Sequence, residues 1–247
     1  MEIGDIISQA IRYPLNDTEN IKNPLIIFGI LAGPLLLFMI ALFTRNNTFI
    51  TITAVLEIIG VIVYVLLAPG YLLSVMKEGT NRSGIIPELQ LGKNIVDTLK
   101  MWAIGIVYSI VPMIILALIF FLVIGVTPPK NPNAALGAIG IFTIIAIVVI
   151  VLLEMFISIA TLRLAKTDSI SEAVNISQVW AELQEIGILK MLLFCILISI
   201  IAGFIYFVGM LLNFIPIIGP VITILIIYMF AALFESYAFG LLYSDIA

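Results

Sequence analysis

The sequence contains no histidine and one cysteine, Cys195. Imidazole bases, His- or Cys-ligated metal sites and any disulfide within one chain are thereby excluded. Charge is also scarce. Only 11% of the 247 residues are Asp, Glu, Lys or Arg, and the formal net charge is −4. That is too little charge to cover a water-facing globule of this size. No polybasic run occurs, so the chain lacks the electrostatic footprint of a nucleic-acid binder or of a trap for anionic headgroups. The first residues, Met1-Glu2-Ile3-Gly4-Asp5, have no basic stretch ahead of an apolar core and do not read as a signal peptide. Walker sequences, nucleophile elbows and metal-spaced carboxylates are missing as well. No catalytic, cofactor-binding or metal-ligating residue is therefore assigned, and the chain is read as not an enzyme.

What the sequence has in abundance is hydrophobicity: 63% of residues are apolar and the mean hydropathy is +1.27. Six apolar runs are long enough to cross a bilayer, which takes about 20 residues. They lie at about Pro24–Phe43, Phe49–Met76, Met101–Val126, Ala135–Leu164, Gly187–Leu212 and Ile217–Tyr243. Polar or proline-bearing turns separate them, notably Thr44–Asn47, the stretch from Lys77 to Gly92, and Thr127–Asn133.

Amphipathic stretches precede alternate spans. In residues 2–12, Ile3, Ile6, Ile7, Ala10 and Ile11 share one helical face, and Tyr13-Pro14 is expected to stop the helix. Lys93–Lys100 opposes Ile95, Val96 and Leu99 to Asn94, Asp97 and Thr98. The cleanest case is Ser169–Ile186. It opens with capping-box spacing between Ser169 and Glu172 and sets Ile176, Val179, Trp180, Leu183 and Ile186 against a polar face that includes Glu182 and Glu185. Such segments are too short to span and are expected to lie in the membrane interface. On this reading Trp180 anchors the third segment, and loss of Glu182 should matter little. The stretch Ser169–Tyr243 is taken as the unit around which the chain is organised.

Lysine and arginine placement sets the orientation. Arg45 and Lys130 fall in outer turns, which leaves nine of the 11 basic residues on the inner side. The fold expected is all-α: six transmembrane helices as three hairpins, each preceded by an amphipathic interfacial segment on the cytoplasmic side. The chain forms one domain, 1–247, with parallel pseudo-repeats at about 1–78, 85–166 and 169–243. Both termini are expected to be cytoplasmic, in a multi-pass protein of the cell membrane.

Four short stretches resemble a known family. They are Tyr13-Pro14-Leu15-Asn16-Asp17, Gly70-Tyr71-Leu72, Ile215-Pro216-Ile217-Ile218-Gly219 and Gly240-Leu241-Leu242-Tyr243. The family is an uncharacterised multi-pass membrane family frequent in methanogenic archaea, the domain of unknown function numbered 4013. The resemblance implies a membrane location and an archaeal source, and it implies no reaction.

Three carboxylates fall inside spans: Glu57, Glu154 and Glu235. A charge in the bilayer centre costs about 2.5–3.5 kcal/mol on insertion scales and commonly faces a bundle interior. Glu154 and Glu235 are expected to approach Arg163, making Glu57, Glu154, Glu235 and Arg163 the candidate intramembrane polar site. Gly29 and Gly33 have the small-xxx-small spacing that admits a close helix. The functional reading is a non-enzymatic scaffold, assembly or lipid-organising protein; the alternative is a small-solute or ion permease using these glutamates. The expected partners are membrane lipids, with an unidentified membrane protein or a second copy of the chain beside them.

Overall fold

Helices account for all the regular structure in the computed structural model, which describes residues 1–126 and 132–246. They are α1 (Ile3–Asn16), α2 (Lys22–Thr44), α3 (Asn47–Thr80), α4 (Leu91–Phe120), α5 (Pro132–Thr167), α6 (Ile170–Ala173), α7 (Ile176–Ile186), α8 (Ile188–Leu212), α9 (Ile218–Ile222) and α10 (Met229–Tyr243). A π-helical turn, Phe121–Val126, prolongs α4, and a second, Thr223–Tyr228, joins α9 to α10. Among the described residues six helices are long and apolar enough to cross a membrane: α2, α3, α4, α5, α8 and the continuous α9–α10 rod. Their outward faces carry residues such as Ile58, Ile62, Ile110, Ile114, Ile200 and Phe204, all exposed. An apolar surface this continuous is stable in lipid, where every backbone group is satisfied within its own helix. Residues 127–131 of the expected turn Thr127–Asn133, with Lys130 among them, lie outside the described residues.

The helix at the centre is α3, which packs against α2, α4, α5 and α10. Small residues allow this. A Cβ added to Gly70 would lie 1.9 Å from the Asn94 carbonyl oxygen of α4, and one added to Gly240 would lie 2.2 Å from the Met76 carbonyl oxygen of α3. Backbone meets backbone at both crossings, so no side chain fits. By contrast, nothing lies within 4 Å of a Cβ built on Gly29 or Gly33, and the close approach expected there does not occur. Within the C-terminal stretch, α8 packs on α7, α9 and α10, while α10 reaches α3 and α1.

The amphipathic stretches depart from expectation in instructive ways. Helix α1 continues through Pro14 to Asn16. Its Ile6, Ala10 and Tyr13 are buried, with the helix packed on α10. Lys93–Lys100 is no separate segment but the first turns of α4, and its polarity is inverted. Asn94, Asp97 and Thr98 are buried, whereas Ile95, Val96 and Leu99 are exposed. A helix flanked by lipid turns its apolar side outward and its polar side to its neighbours, the reverse of the pattern in water. The third stretch breaks in two. Ser169 caps α6 by accepting from the Glu172 N–H, and the Asn175 side chain caps α7 by accepting from the Gln178 N–H.

Candidate functional site

The chemistry of this protein gathers at one end of the bundle, the end that holds both termini. There the polar loop after α3 is folded back and tied down from four directions. Tyr13 stacks on Tyr237 of α10 with ring centroids 3.9 Å apart, and its hydroxyl donates to the Ile85 carbonyl at 3.0 Å. The Asp17 carboxylate accepts from the Asn20 side chain at 2.9 Å and from the Ile86 N–H at 3.0 Å. Tyr71 and Asn23 both donate to the Pro87 carbonyl, at 3.2 and 3.3 Å. The Asn20 hydrogen bond, helped by the Ile86 N–H, holds Asp17 below the usual carboxylate range, whereas burial pushes the Tyr13 phenol up.

The folded loop walls a cleft of about 380 Å³ between the last turn of α3 and the first turn of α4, and Lys77, Glu78, Glu88 and Lys93 all face it. A separate small cavity of about 10 Å³, room for roughly one water, shares Ser74, Lys77 and Lys93 with the cleft and is lined also by Asp97 and Asp168. Lys100 serves both of those acids: its ammonium lies 3.2 Å from Asp97 and hydrogen-bonds Asp168. That hydrogen bond keeps the Asp168 carboxyl below its ordinary value. Beside it, both polar side-chain atoms of Asn94 are buried without a partner.

Arg163 forms a second cluster. It donates to the Glu172 backbone carbonyl at 2.9 Å, to the Glu172 carboxylate at 2.5 Å, and to Gln178 and Glu182. All four acceptors come from the α6–α7 segment, so one arginine at the end of α5 fastens the whole segment. Tyr243, the last residue of α10, faces the Arg163–Glu182 pair, and the Tyr108 hydroxyl donates to the Ala173 carbonyl at 3.0 Å. By helical position alone Glu182 belongs to the solvent face. Its side chain is only 17% exposed, and one of its oxygens is buried without a partner. A third cluster closes the chain on itself. The Asp245 carboxylate meets the N-terminal ammonium, Arg82 at 3.0 Å and Lys190 at 3.3 Å. Burial acts to raise the Asp245 pKa, but the ammonium groups outweigh it and hold the carboxyl low.

Among the described residues the glutamates within the spans make no ion pair and join none of these clusters. Glu57 is half-buried, and one carboxylate oxygen is enclosed without a partner. Glu154 is exposed in an apolar groove of about 490 Å³ between α5 and α8, beside Cys195 and Ser199; neither Glu57 nor Glu235 lines that groove. Glu235 is half-buried and faces Tyr206 of α8. The carboxylates that Arg163 pairs with are Glu172 and Glu182. Among the described residues no three Asp, Glu or Cys side chains converge as metal ligands would. Sequence reasoning missed the Lys77–Lys93 cleft, because its concavity depends on a loop held by residues far away in the chain. The Arg163 pairing had a visible signal: a lone arginine at a span end, followed by acids at helical spacing.

A family model described as a protein of unknown function, DUF4013, matches residues 52–214, more than half of the chain. No curated protein and no solved structure matches.

Proposed function

This chain belongs to the DUF4013 family, and we propose that it is a non-enzymatic multi-pass protein of the cell membrane with a scaffold, assembly or lipid-organising role. In this reading the spans form three parallel hairpins. Both termini, α1 and the α6–α7 segment lie on the cytoplasmic side, and the source is archaeal. The working partners are membrane lipids together with a membrane protein or a second copy of the chain, and not nucleic acid. The observation that carries the reading is how the polar groups are spent. Arg163, Asp245 and Lys100 are consumed in tying segments of the same chain together, while the spans present long apolar faces and an open lateral groove. Reconstitution into liposomes tests it. The expected outcome is solute and ion flux no greater than in protein-free vesicles, with chemical crosslinking capturing a membrane partner or a dimer. Protein-dependent flux overturns it.

The permease alternative has one observation in its favour, the enclosed and unpartnered oxygen of Glu57. An unpaired carboxylate in a span is costly and is commonly retained for ion or proton handling. Flux that disappears in Glu57→Gln selects this reading over the scaffold.

A further inference from the structure

The cleft at the junction of α3 and α4 carries an unusual charge arrangement. Lys77 projects from the last turn of α3 and Lys93 from the first turn of α4, and both line the same space of about 380 Å³. Clefts that hold small ligands begin near 300 Å³. Among the described residues neither lysine lies within ion-pair distance of a carboxylate; both act on Asp168 only from a distance, and the close partner of Asp97 and Asp168 is Lys100. The first turn of α4 adds to the positive character. Its N-cap, Gln90, provides no side-chain cap, and the first α4 N–H group to find a backbone acceptor is that of Asn94. The N–H groups of Leu91, Gly92 and Lys93 thus stand at the positive end of a 30-residue helix. The same cleft is lined by Glu78 and Glu88, which among the described residues make no ion pair either.

A simple anion would satisfy the lysines and leave two carboxylates beside it; a simple cation would do the reverse. We infer that the cleft binds a small zwitterion, a phosphoryl group carrying an ammonium arm, with the phosphoryl oxygens toward Lys77, Lys93 and the α4 N-terminus and the ammonium toward Glu78 and Glu88. Phosphoryl oxygens suit this set because they accept several donors at once. The cleft lies where α3 and α4 leave the apolar zone, the depth of lipid headgroups, so the ligand is either a phosphatidylethanolamine headgroup or free phosphoethanolamine. The inference goes beyond the scaffold and permease readings and depends on neither.

The test uses the full chain purified in phospholipid-free detergent. Calorimetric titration with phosphoethanolamine and with inorganic phosphate covers the soluble source. Native mass spectrometry after exchange with phosphatidylethanolamine or phosphatidylglycerol covers the lipid source. Binding of the free headgroup, or selective retention of phosphatidylethanolamine, supports the site if the Lys77→Gln/Lys93→Gln double variant weakens it at least tenfold. Glu78→Gln/Glu88→Gln should weaken phosphoethanolamine and leave inorganic phosphate unchanged. Lys77→Arg/Lys93→Arg keeps both charges and should keep binding, which separates lost contacts from lost folding. The inference is overturned if neither probe binds, if the lysine double variant binds like the wild type, or if inorganic phosphate and phosphoethanolamine respond identically to the glutamate variants.

Discussion

Replacing Arg163 with alanine should release the α6–α7 segment from the end of α5. The arginine side chain is 13% exposed and that of Glu182 is 17% exposed, so the pair sits largely out of water. Removing one partner of such a pair strands the other, at a typical cost of about 3–5 kcal/mol. Glu182 is already short of a partner for one oxygen, and the variant would leave its carboxylate with none of the arginine's hydrogen bonds. Taking about 3 kcal/mol, at roughly 1.36 kcal/mol per decade, the opening equilibrium of the segment rises roughly 150-fold. The comparison that decides the matter is Trp180→Leu, which keeps most of the apolar burial and removes the ring stack. Trp180 is 42% exposed and stacks on Phe156 with ring centroids 5.7 Å apart; such a pair is worth about 0.5–1.5 kcal/mol beyond its area burial, so roughly tenfold. Hydrogen exchange of the α7 amides in lipid nanodiscs measures both. If Arg163→Ala raises exchange no more than Trp180→Leu does, the segment is held by its apolar face and Arg163 does not fasten it. Glu182→Ala should fall between the two, because Arg163 keeps Glu172 and Gln178.

The remaining expectations concern packing, pH and sidedness. Gly70→Ala forces a Cβ to within 1.9 Å of a backbone oxygen; such overpacking costs about 1–3 kcal/mol or more and should lower the thermal midpoint in detergent. Gly33→Ala, with open space around it, should be neutral within about 0.5 kcal/mol or slightly stabilising. Asp168 and Asp17 have depressed carboxyl pKa values, through hydrogen bonds from Lys100 and from Asn20. Their contribution is complete above the unfolded carboxyl value near ~3.9 and is lost as pH falls through the lower folded values. Thermal midpoints should therefore hold at about pH 5 and fall only in stronger acid, and Asp168→Asn should flatten that acid limb. In a Cys195→Ser background, single cysteines at Ser83 and Ser171 should react only from the cytoplasmic side and one at Asn46 only from the outside; labelling of Ser83 or Ser171 from outside would sink the proposed orientation.

Composition alone determined the membrane class and the six spans. Hydrophobic runs of bilayer length have only one way to satisfy their backbone, and it is local, so each run declares itself in the sequence. Local chemistry likewise marked the Ser169 cap and the tight turn ended by the Asn46 cap. Pairing between distant segments was not legible. Periodicity distinguishes the two faces of a helix but does not say whether the polar face meets water or a neighbour. Asn94, Asp97 and Thr98 therefore read as outward and are buried, and Glu182 read as solvated and holds Arg163. Glycine spacing fared the same way: Gly29 and Gly33 match a packing motif with nothing packed on them, while Gly70 and Gly240 touch the backbones of other helices. A close crossing needs small residues at a place that both helices share, and the second helix is chosen by the tertiary fold. The cleft between Lys77 and Lys93 depends on it most of all, because the two lysines face one space only once Tyr13, Asp17, Asn23 and Tyr71 have drawn the loop between them onto the bundle.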